Sequence, residues 1–162
     1  MQKVIDRYCG FSAVDENGTR CVTTTRLANV EAGCLSRLPE VARNWGRRGV
    51  TVVLLDPNTR LAAGERAIGI LQAAGISVAT IELGSAGDPV VCDDETIDQV
   101  QAAIAARNAG FVVAVGAGTI NDLAKMSCHR LALPYACVAT APSMNGYTSA
   151  IAAILSKGVK IT

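Results

Sequence analysis

The chain has 162 residues, of which half are hydrophobic and 4% aromatic, and its formal net charge is +1. This length suits one domain with a sizeable core. The scarcity of aromatic side chains predicts a core of Val, Ile, Leu and Ala, as in parallel α/β sheets. The scattered Lys and Arg residues argue against nucleic-acid binding, and no apolar run is long enough for a membrane span. The polar residues that follow Met1 predict no signal peptide, so we expect a cytoplasmic location.

The cysteines and the single histidine are better explained as structural residues than as a metal site. No two of the six cysteines form a Cys-x-x-Cys pair, and this pattern favours reduced thiols over disulfides. His129 directly follows Cys128, and adjacent residues on a helix point about 100° apart. A histidine near the end of a helix instead interacts favourably with the helix dipole. We therefore expect no metal ligand in this chain.

Predicted strands and helices alternate along the chain. Residues 1–20 are predicted as a loosely defined N-terminal strand, hairpin or extension. The strands that follow are predicted over residues 21–30, 50–55, 76–83, 111–115 and 135–139. The helices are predicted over residues 35–45, 60–74, 95–109 and 118–130, and a hairpin over residues 151–162 with its turn at Lys157-Gly158. This alternation predicts parallel strands joined by right-handed crossovers.

Local signals support the predicted helices. The first helix carries one apolar stripe made of Leu35, Leu38, Ala42 and Trp45. Asn58 or Thr59 is predicted to cap the second helix, and Asp94 the third. Ligands of parallel sheets lie at the carboxyl ends of the strands. The segments 56–59, 116–119 and 140–149 follow predicted strands, so we expect the functional residues there.

A glycine-rich turn is the clearest functional signal in the chain. The β-branched run that ends at Val115 meets Gly116-Ala117-Gly118-Thr119, and a helical pattern begins directly afterwards. This order places free backbone N–H groups at the positive end of a helix, which suits a phosphate or pyrophosphate. The turn is not G-x-G-x-x-G and lacks the Walker lysine. A tight strand-to-helix turn without a ligand is the alternative.

Two carboxylates near these turns have competing interpretations. Asp56 ends a strand, and a carboxylate there accepts both ribose hydroxyls of an adenosine and repels a 2′-phosphate; the alternative is a turn-forming Asp before Pro57. Asp122 suits the N-terminal end of the helix dipole, and we interpret it as a helix-start residue. We interpret Lys125 as a solvated side chain.

The segment from Thr140 to Ser149 is dense in short side chains that form hydrogen bonds. It follows a buried strand and is longer than a simple crossover turn requires. Its hydroxyl and amide groups suit a diphosphate, a nicotinamide amide or a polyol. A capped surface loop is the alternative.

Together these motifs resemble the dehydroquinate synthase and iron-containing alcohol dehydrogenase superfamily, and within it the sn-glycerol-1-phosphate and glycerol dehydrogenases. The resemblance covers roughly residues 22–162. It rests on Gly33 and the helix after it, Asp56-x-Asn58-Thr59, the run from Val115 to Lys125, and the run from Thr140 to Ser149. The last two motifs, in this order and at this spacing, are fairly specific.

The resemblance implies that residues 1–162 form an NAD(P)-binding α/β domain with a Rossmann-like parallel sheet and helices on both faces. It implies that Asp56 holds the adenosine ribose and that Gly116, Ala117, Gly118, Thr119 and Ile120 surround the pyrophosphate. It further implies that Thr140, Ala141, Pro142, Ser143 and Ser149 line the dinucleotide towards its nicotinamide end, and that Asn145 faces the substrate. It assigns no catalytic residue to this chain.

The sequence departs from the family pattern in three ways. Asn145 stands where the family usually has Asp, and an amide forms hydrogen bonds but is no carboxylate base. Ala117 replaces the usual middle glycine. The family's helical C-terminal domain, which supplies a carboxylate and two histidines for zinc or iron, is expected to be absent here, so we expect a metal only if that domain is supplied.

We therefore expect the nucleotide-binding domain of a metal-assisted dehydrogenase that uses NAD or NADP. Its expected small-molecule substrate is glycerol-1-phosphate, dihydroxyacetone phosphate or a similar polyol. A dehydroquinate-synthase-like cyclase and a non-catalytic dinucleotide-binding module are the alternatives. Neither a membrane nor a nucleic acid is an expected partner, and association of identical chains is left open.

Overall fold

The computed structural model of the chain describes residues 2–85, 87 and 89–162, with side chains from residue 5 onward. The contacts divide the chain into two compact units. The smaller unit comprises the residues up to Cys34 together with Thr148–Ala150, and the larger comprises Leu35–Tyr147 and Ile151–Thr162. In the described part of the chain, every helix is too short or too polar to cross a membrane.

The smaller unit contains one helix and one hairpin. Helix α1 spans Gln2–Tyr8, and strands β1 (Ser12–Val14) and β2 (Arg20–Val22) pair antiparallel. The hairpin agrees with the prediction for residues 1–20, whereas helix α1 was not predicted. The strand predicted over residues 21–30 is wrong beyond Val22. Thr23 and Thr25 share one backbone hydrogen bond each with Phe11 and Gly10, respectively, but the described residues form no continuous ladder there, and strand propensity depends on such pairing.

The larger unit is built on a four-stranded parallel sheet. Its strands are β3 (Val50–Leu55), β4 (Val78–Glu82), β5 (Ala109–Gly116) and β6 (Tyr135–Ala139), in the spatial order β4-β3-β5-β6. The main helices are α2 (Leu38–Trp45), α3 (Pro57–Thr59), α4 (Glu65–Ala73), α5 (Asp94–Ala106) and α6 (Gly118–Arg130), with one π-helical turn over Arg60–Gly64 between α3 and α4. All neighbouring strands run parallel. The predicted α/β class and Rossmann-like sheet are confirmed.

The side chains of the central strands alternate between two apolar cores. On β3, Val52 and Leu54 face the core that contains the buried residues of α5 and α6. Val53 and Leu55 face the opposite core, which contains the buried residues of α2 and α4. This alternation follows from the two-residue period of a strand. The helices therefore cover both faces of the sheet, as predicted.

Two predicted caps and one predicted core residue are wrong. The second helix begins at Asp56 rather than at Asn58 or Thr59, because the Asp56 carboxylate accepts the Thr59 N–H. The N-cap of the third predicted helix is Asp93, one residue before the predicted Asp94, because the Asp93 carboxylate accepts the Thr96 N–H. Trp45 is the last residue of α2 and is 45% exposed, so it does not complete the apolar stripe.

The C-terminal hairpin pairs β7 (Ile154–Ser156) with β8 (Val159–Ile161), as predicted. Lys157 and Gly158 both have positive φ angles, of 50° and 77°. Two successive positive φ angles are the geometry of a type I′ turn, which matches the twist of the two strands. The Leu155 N–H donates to the Cys92 carbonyl at 2.8 Å, which ties β7 to the segment before α5.

Candidate functional site

A cavity of about 520 Å³ opens at the carboxyl end of the parallel sheet. Three segments of the larger unit line it. They are Asp56 to Thr59 after β3, Ser85, Gly87, Pro89 and Val90 after β4, and Ala117 to Ile120 at the start of α6. The cavity therefore brings the predicted ribose carboxylate together with the predicted phosphate turn. Both lie where ligands of open parallel sheets bind.

Asp56 is held rigidly in this cavity by a reciprocal cap. Its Oδ1 accepts the Thr59 N–H at 2.8 Å, while the Thr59 hydroxyl accepts the Asp56 N–H at 3.0 Å. This capping box satisfies two backbone donors at the start of α3. The turn-forming interpretation of Asp56 is thus correct in part. The second carboxylate oxygen, Oδ2, makes no hydrogen bond to the described residues and is available to a ligand.

The two glycines of the glycine-rich turn have different physical roles. Gly116 ends β5 against Ile120, whose side chain occupies the space of a Cβ at position 116. Gly118 has room, since a Cβ there would meet only the Met144 side chain at an ordinary distance of 3.6 Å. Gly116 is therefore needed for the fold of the turn. The absence of a side chain at Gly118 leaves the backbone there open to close approach.

The N-terminus of α6 has free donors at the cavity. Ala117 occupies the N-cap position and offers no side-chain acceptor. The first intrahelical hydrogen bond is donated by Asn121 to the Ala117 carbonyl at 3.0 Å. By helix geometry, the N–H groups of Gly118, Thr119 and Ile120 then have no intrahelical acceptor. Three outward N–H groups at the positive end of a 13-residue helix suit an anion.

The segment after β6 lies beside the same turn. The Thr140 N–H donates to the Gly116 carbonyl at 3.2 Å, and Met144 lies next to Gly118. The Tyr147 hydroxyl donates to the Ala141 carbonyl at 3.0 Å and accepts the Ala141 N–H at 3.2 Å. Tyr147 therefore closes this segment into a compact loop.

The other predicted site residues lie outside the lining of the cavity. Thr140, Ala141, Pro142 and Ser143 follow β6 but are not among the residues that line the cavity. Pro142, Ser143 and Asn145 are exposed. Ser149 belongs to the smaller unit. The predicted roles of these residues remain predictions.

The prediction for Lys125 is wrong and that for Asp122 is incomplete, because the two side chains form a largely buried ion pair. Lys125 is only 9% exposed, and its ammonium donates to the Asp122 carboxylate at 3.2 Å and to the Ile151 carbonyl at 2.7 Å. The other Asp122 oxygen accepts the Ala153 N–H at 3.1 Å. The pair thus anchors the chain before β7 onto α6. Lys125 is not solvated, and Asp122 does more than favour the helix dipole. Burial, aided by the Asp122 charge, raises the pKa of the neighbouring Cys92 thiol to about 11.

The sequence analysis missed the third wall of the cavity. Ser85, Gly87, Pro89 and Val90 line it, yet no motif marks them. Their position directly after β4 could have predicted this role, because all strands of a parallel sheet end at the edge where ligands bind. The glycines and proline of this segment were typical of a loop.

The residues fit an anionic cofactor better than a metal ion. Among residues 2–85, 87 and 89–162, no three His, Cys, Asp or Glu side chains are grouped so that they could hold a metal. All six cysteines are free thiols.

Comparisons with known proteins identify the family of the chain. The sequence profile of the family described as "Iron-containing alcohol dehydrogenase" matches residues 29–162. The chain is 35% identical over 129 residues to a glycerol-1-phosphate dehydrogenase (NAD(P)+) of Halalkalibacterium halodurans, covering 79% of this chain and 32% of that protein. It is 37% identical over 143 residues to the enzyme of the same name from Bacillus licheniformis, covering 87% and 35%. The chain thus spans about a third of the length of these curated relatives.

Solved structures show the same fold. A probable glycerol dehydrogenase from Sinorhizobium meliloti superposes with a TM-score of 0.61 at 20% identity, covering 81% of this chain and 33% of that one. Maleylacetate reductase from Agrobacterium tumefaciens superposes with a TM-score of 0.63 at 20% identity, covering 81% and 35%. With the profile match over most of its length, the chain belongs to the iron-containing alcohol dehydrogenase family.

Proposed function

We propose that this chain is the NAD(P)(H)-binding part of a dehydrogenase that interconverts glycerol-1-phosphate and dihydroxyacetone phosphate, or acts on a similar polyol. One observation carries the proposal: the Asp56 carboxylate and the N-terminus of α6 line the same cavity. A dinucleotide carries a ribose diol and a pyrophosphate, which these two groups match. The curated relatives, named glycerol-1-phosphate dehydrogenases, support the substrate class.

Asp56 is suited to the adenosine ribose. The bond from Thr59 uses one carboxylate oxygen and fixes the orientation of the other. A fixed acceptor at this position binds ribose hydroxyls without first losing side-chain rotamer freedom. Its negative charge also disfavours a 2′-phosphate, so we propose that the site prefers NAD(H) to NADP(H).

The start of α6 is suited to the pyrophosphate. Its first-turn N–H groups and the helix dipole both favour negative charge. Gly118 permits the phosphate oxygens to approach the backbone without meeting a Cβ. With the ribose at Asp56, the dinucleotide extends across the sheet edge from β3 towards β5 and the segment after β6.

The segment from Thr140 to Asn145 is suited to the nicotinamide end and the substrate. It follows β6, the strand next to β5 on the side away from β3. Its hydroxyls and the Asn145 amide can donate to and accept from a nicotinamide amide or a polyol. We propose that Asn145 orients a substrate hydroxyl. When bound, the cofactor supplies the hydride, and this chain's residues hold and orient it.

The remaining expectations for the whole protein stay proposals. We propose that residues 1–162 serve one NAD(P)-binding domain and that the protein works in the cytoplasm, where thiols such as its six free cysteines remain reduced. Among the residues that the structure describes, no three His, Cys, Asp or Glu side chains are grouped to hold the metal that the family's name implies, and we assign no step to it.

NADH binding tests the proposal. Titration of NADH is followed by its fluorescence for the natural chain, Gly118→Trp and Gly118→Ala. We expect binding to the natural chain and loss of at least tenfold in affinity for Gly118→Trp, because the indole fills the cavity beside the helix N-terminus. Gly118→Ala adds one methyl group at a position with room, so it controls for the loss of glycine itself.

The outcomes separate a blocked site from a damaged fold. Urea unfolding of each variant shows whether the larger unit is intact. Equal NADH affinity in the natural chain and in a folded Gly118→Trp variant would contradict the proposed site. Absence of NADH and NADPH binding by the natural chain would contradict the proposed function.

A further inference from the structure

Arg60 is held beside the proposed ribose site by two carboxylates. Its backbone N–H donates to the Asp56 carbonyl at 2.8 Å, one helical turn back. Its Nε lies 2.5 Å from a Glu82 carboxylate oxygen, and its Nη1 lies 2.6 Å from a Glu65 carboxylate oxygen. A single guanidinium therefore joins the end of β4 to the start of α4.

The sheet register places this cluster beside the end of β3 that leads into Asp56, outside the residues that line the cavity. Glu82 pairs with Leu55 across the β3–β4 ladder, and the Leu83 N–H donates to the Leu55 carbonyl at 2.8 Å. The residue after Leu55 is Asp56, and the chain reaches the cavity wall again at Ser85. Arg60 thus follows Asp56 by one helical turn, and its guanidinium is held at the end of β4, the strand beside β3.

The charges around Arg60 are unbalanced. At this corner one guanidinium pairs with two carboxylates, those of Glu65 and Glu82. The hydrogen bonds to Glu65 and Glu82 raise the pKa of Arg60 further. The corner is therefore net negative, although it contains the residue type that best binds a phosphate.

We propose that Glu65 and Glu82 strengthen the preference for NAD(H) that Asp56 sets, because they occupy the Arg60 guanidinium and so withhold it from a 2′-phosphate of NADP(H). This proposal rests on the proposed function, since it concerns the same dinucleotide site. A ribose 2′-hydroxyl carries no charge, so the charges of Glu65 and Glu82 affect it little. A 2′-phosphate carries close to two negative charges and needs a cation that is not already paired.

The test frees the Arg60 guanidinium from one of its two carboxylates and leaves the residues that line the cavity unchanged. Dissociation constants for NADH and NADPH are measured by fluorescence at one ionic strength for the natural chain, Glu82→Gln and Glu65→Gln. We expect NADPH to bind roughly fivefold more tightly to Glu82→Gln, as for one partly exposed ion pair, with NADH changed less than twofold. Glu65→Gln is also expected to bind NADPH more tightly. It replaces Glu82→Gln as the test variant if Glu82→Gln does not fold.

A charge-matched control and a double variant make the result specific. Asp98→Asn, on helix α5, also removes one negative charge, and it breaks an ion pair of 2.7 Å with Arg130 at the C-terminal end of α6. It therefore reports the effect of net charge alone. The double variant Arg60→Gln/Glu82→Gln is expected to lose the NADPH gain. The proposal is overturned if Glu82→Gln and Asp98→Asn give the same NADPH-to-NADH ratio, or if the gain persists without Arg60.

Failure of this proposal differs from failure of the proposed function. If the natural chain binds NADH and the ratio stays unchanged in both glutamate variants, only the selection by Glu65 and Glu82 is refuted. If the natural chain binds neither NADH nor NADPH, the dinucleotide site itself is refuted.

Discussion

Gly116 and Ile120 are packed so closely that a Cβ on Gly116 would lie 2.5 Å from the Cβ of Ile120. Ile120 is itself 2% exposed and belongs to the core between the sheet and helices α5 and α6. The contact fixes how β5 turns into α6. It therefore determines where the first-turn N–H groups point.

This contact predicts different costs for two neighbouring glycines. Gly116→Ala is expected to lower the free energy of unfolding by about 1–3 kcal/mol, because the added methyl group displaces a β-branched core residue. Gly118→Ala is expected to change it by less than about 1 kcal/mol, since its Cβ meets only Met144 at 3.6 Å. Urea unfolding measures both. Equal costs would mean that the turn relaxes around Gly116.

Lys125 is predicted to stabilise the chain much more than a surface cation does. Lys125→Met leaves the Asp122 carboxylate, whose side chain is 15% exposed, without its counterion, and the expected loss is about 2–4 kcal/mol. Arg130→Met breaks the exposed pair with Asp98 and is expected to cost about 0–1 kcal/mol. Thermal unfolding compares the two variants. A Lys125→Met loss as small as that of Arg130→Met would refute an anchoring role for the pair.

The two roles of Asp56 can be separated by two substitutions. Asp56→Asn keeps a good N-cap and is expected to leave stability nearly unchanged, whereas Asp56→Ala loses the cap at a cost of about 1 kcal/mol. Both variants are expected to bind NADH more weakly, because the ribose loses a charged acceptor. Unfolding and NADH titration on the same samples check this. Full NADH affinity in Asp56→Asn would show that the carboxylate serves only the cap.

The buried thiols predict a loss of stability at alkaline pH. Burial raises the pKa of Cys128 from its ordinary value of 9.0 to about 12. Above pH 9 the unfolded chain releases this proton while the folded chain keeps it, so the free energy of unfolding falls as pH rises, by up to about 1.4 kcal/mol per pH unit and thiol.

Urea unfolding from pH 8 to 10.5 measures the slope of this free energy against pH. Cys128→Ala is expected to reduce it, and Cys21→Ser, at an exposed position, is expected to leave it unchanged. An unchanged slope in Cys128→Ala would contradict this origin.

The sheet and its phosphate turn were predictable because local pattern and tertiary structure agree there. Strand β3 (Val50–Leu55) and helix α6 (Gly118–Arg130) have the predicted bounds. The β-branched run that forms β5 is buried on both faces, as its composition indicated. The sequence pattern changes from strand to helix at Gly118, and the residues around this change, Ala117 to Ile120, line the cavity.

Other features depend on contacts between residues far apart in sequence. Burial of Lys125 requires the Ile151 carbonyl, 26 residues later, and no local pattern reports that partner. The cap at Asp56 instead of Asn58 or Thr59 required knowing which backbone N–H turns towards which side chain. Residues after β4 became a cavity wall only through their position in the sheet.

The most direct test of the dinucleotide site is an NMR titration of the ¹⁵N-labelled 16.8 kDa chain with NADH. Binding at the proposed site predicts the largest amide shifts at Gly118, Thr119 and Ile120, with smaller shifts at Thr59. These are the N–H groups at the start of α6 and at the Asp56 cap. Shifts confined to other parts of the chain, or no shifts at millimolar NADH, would contradict the assignment of this cavity to the cofactor.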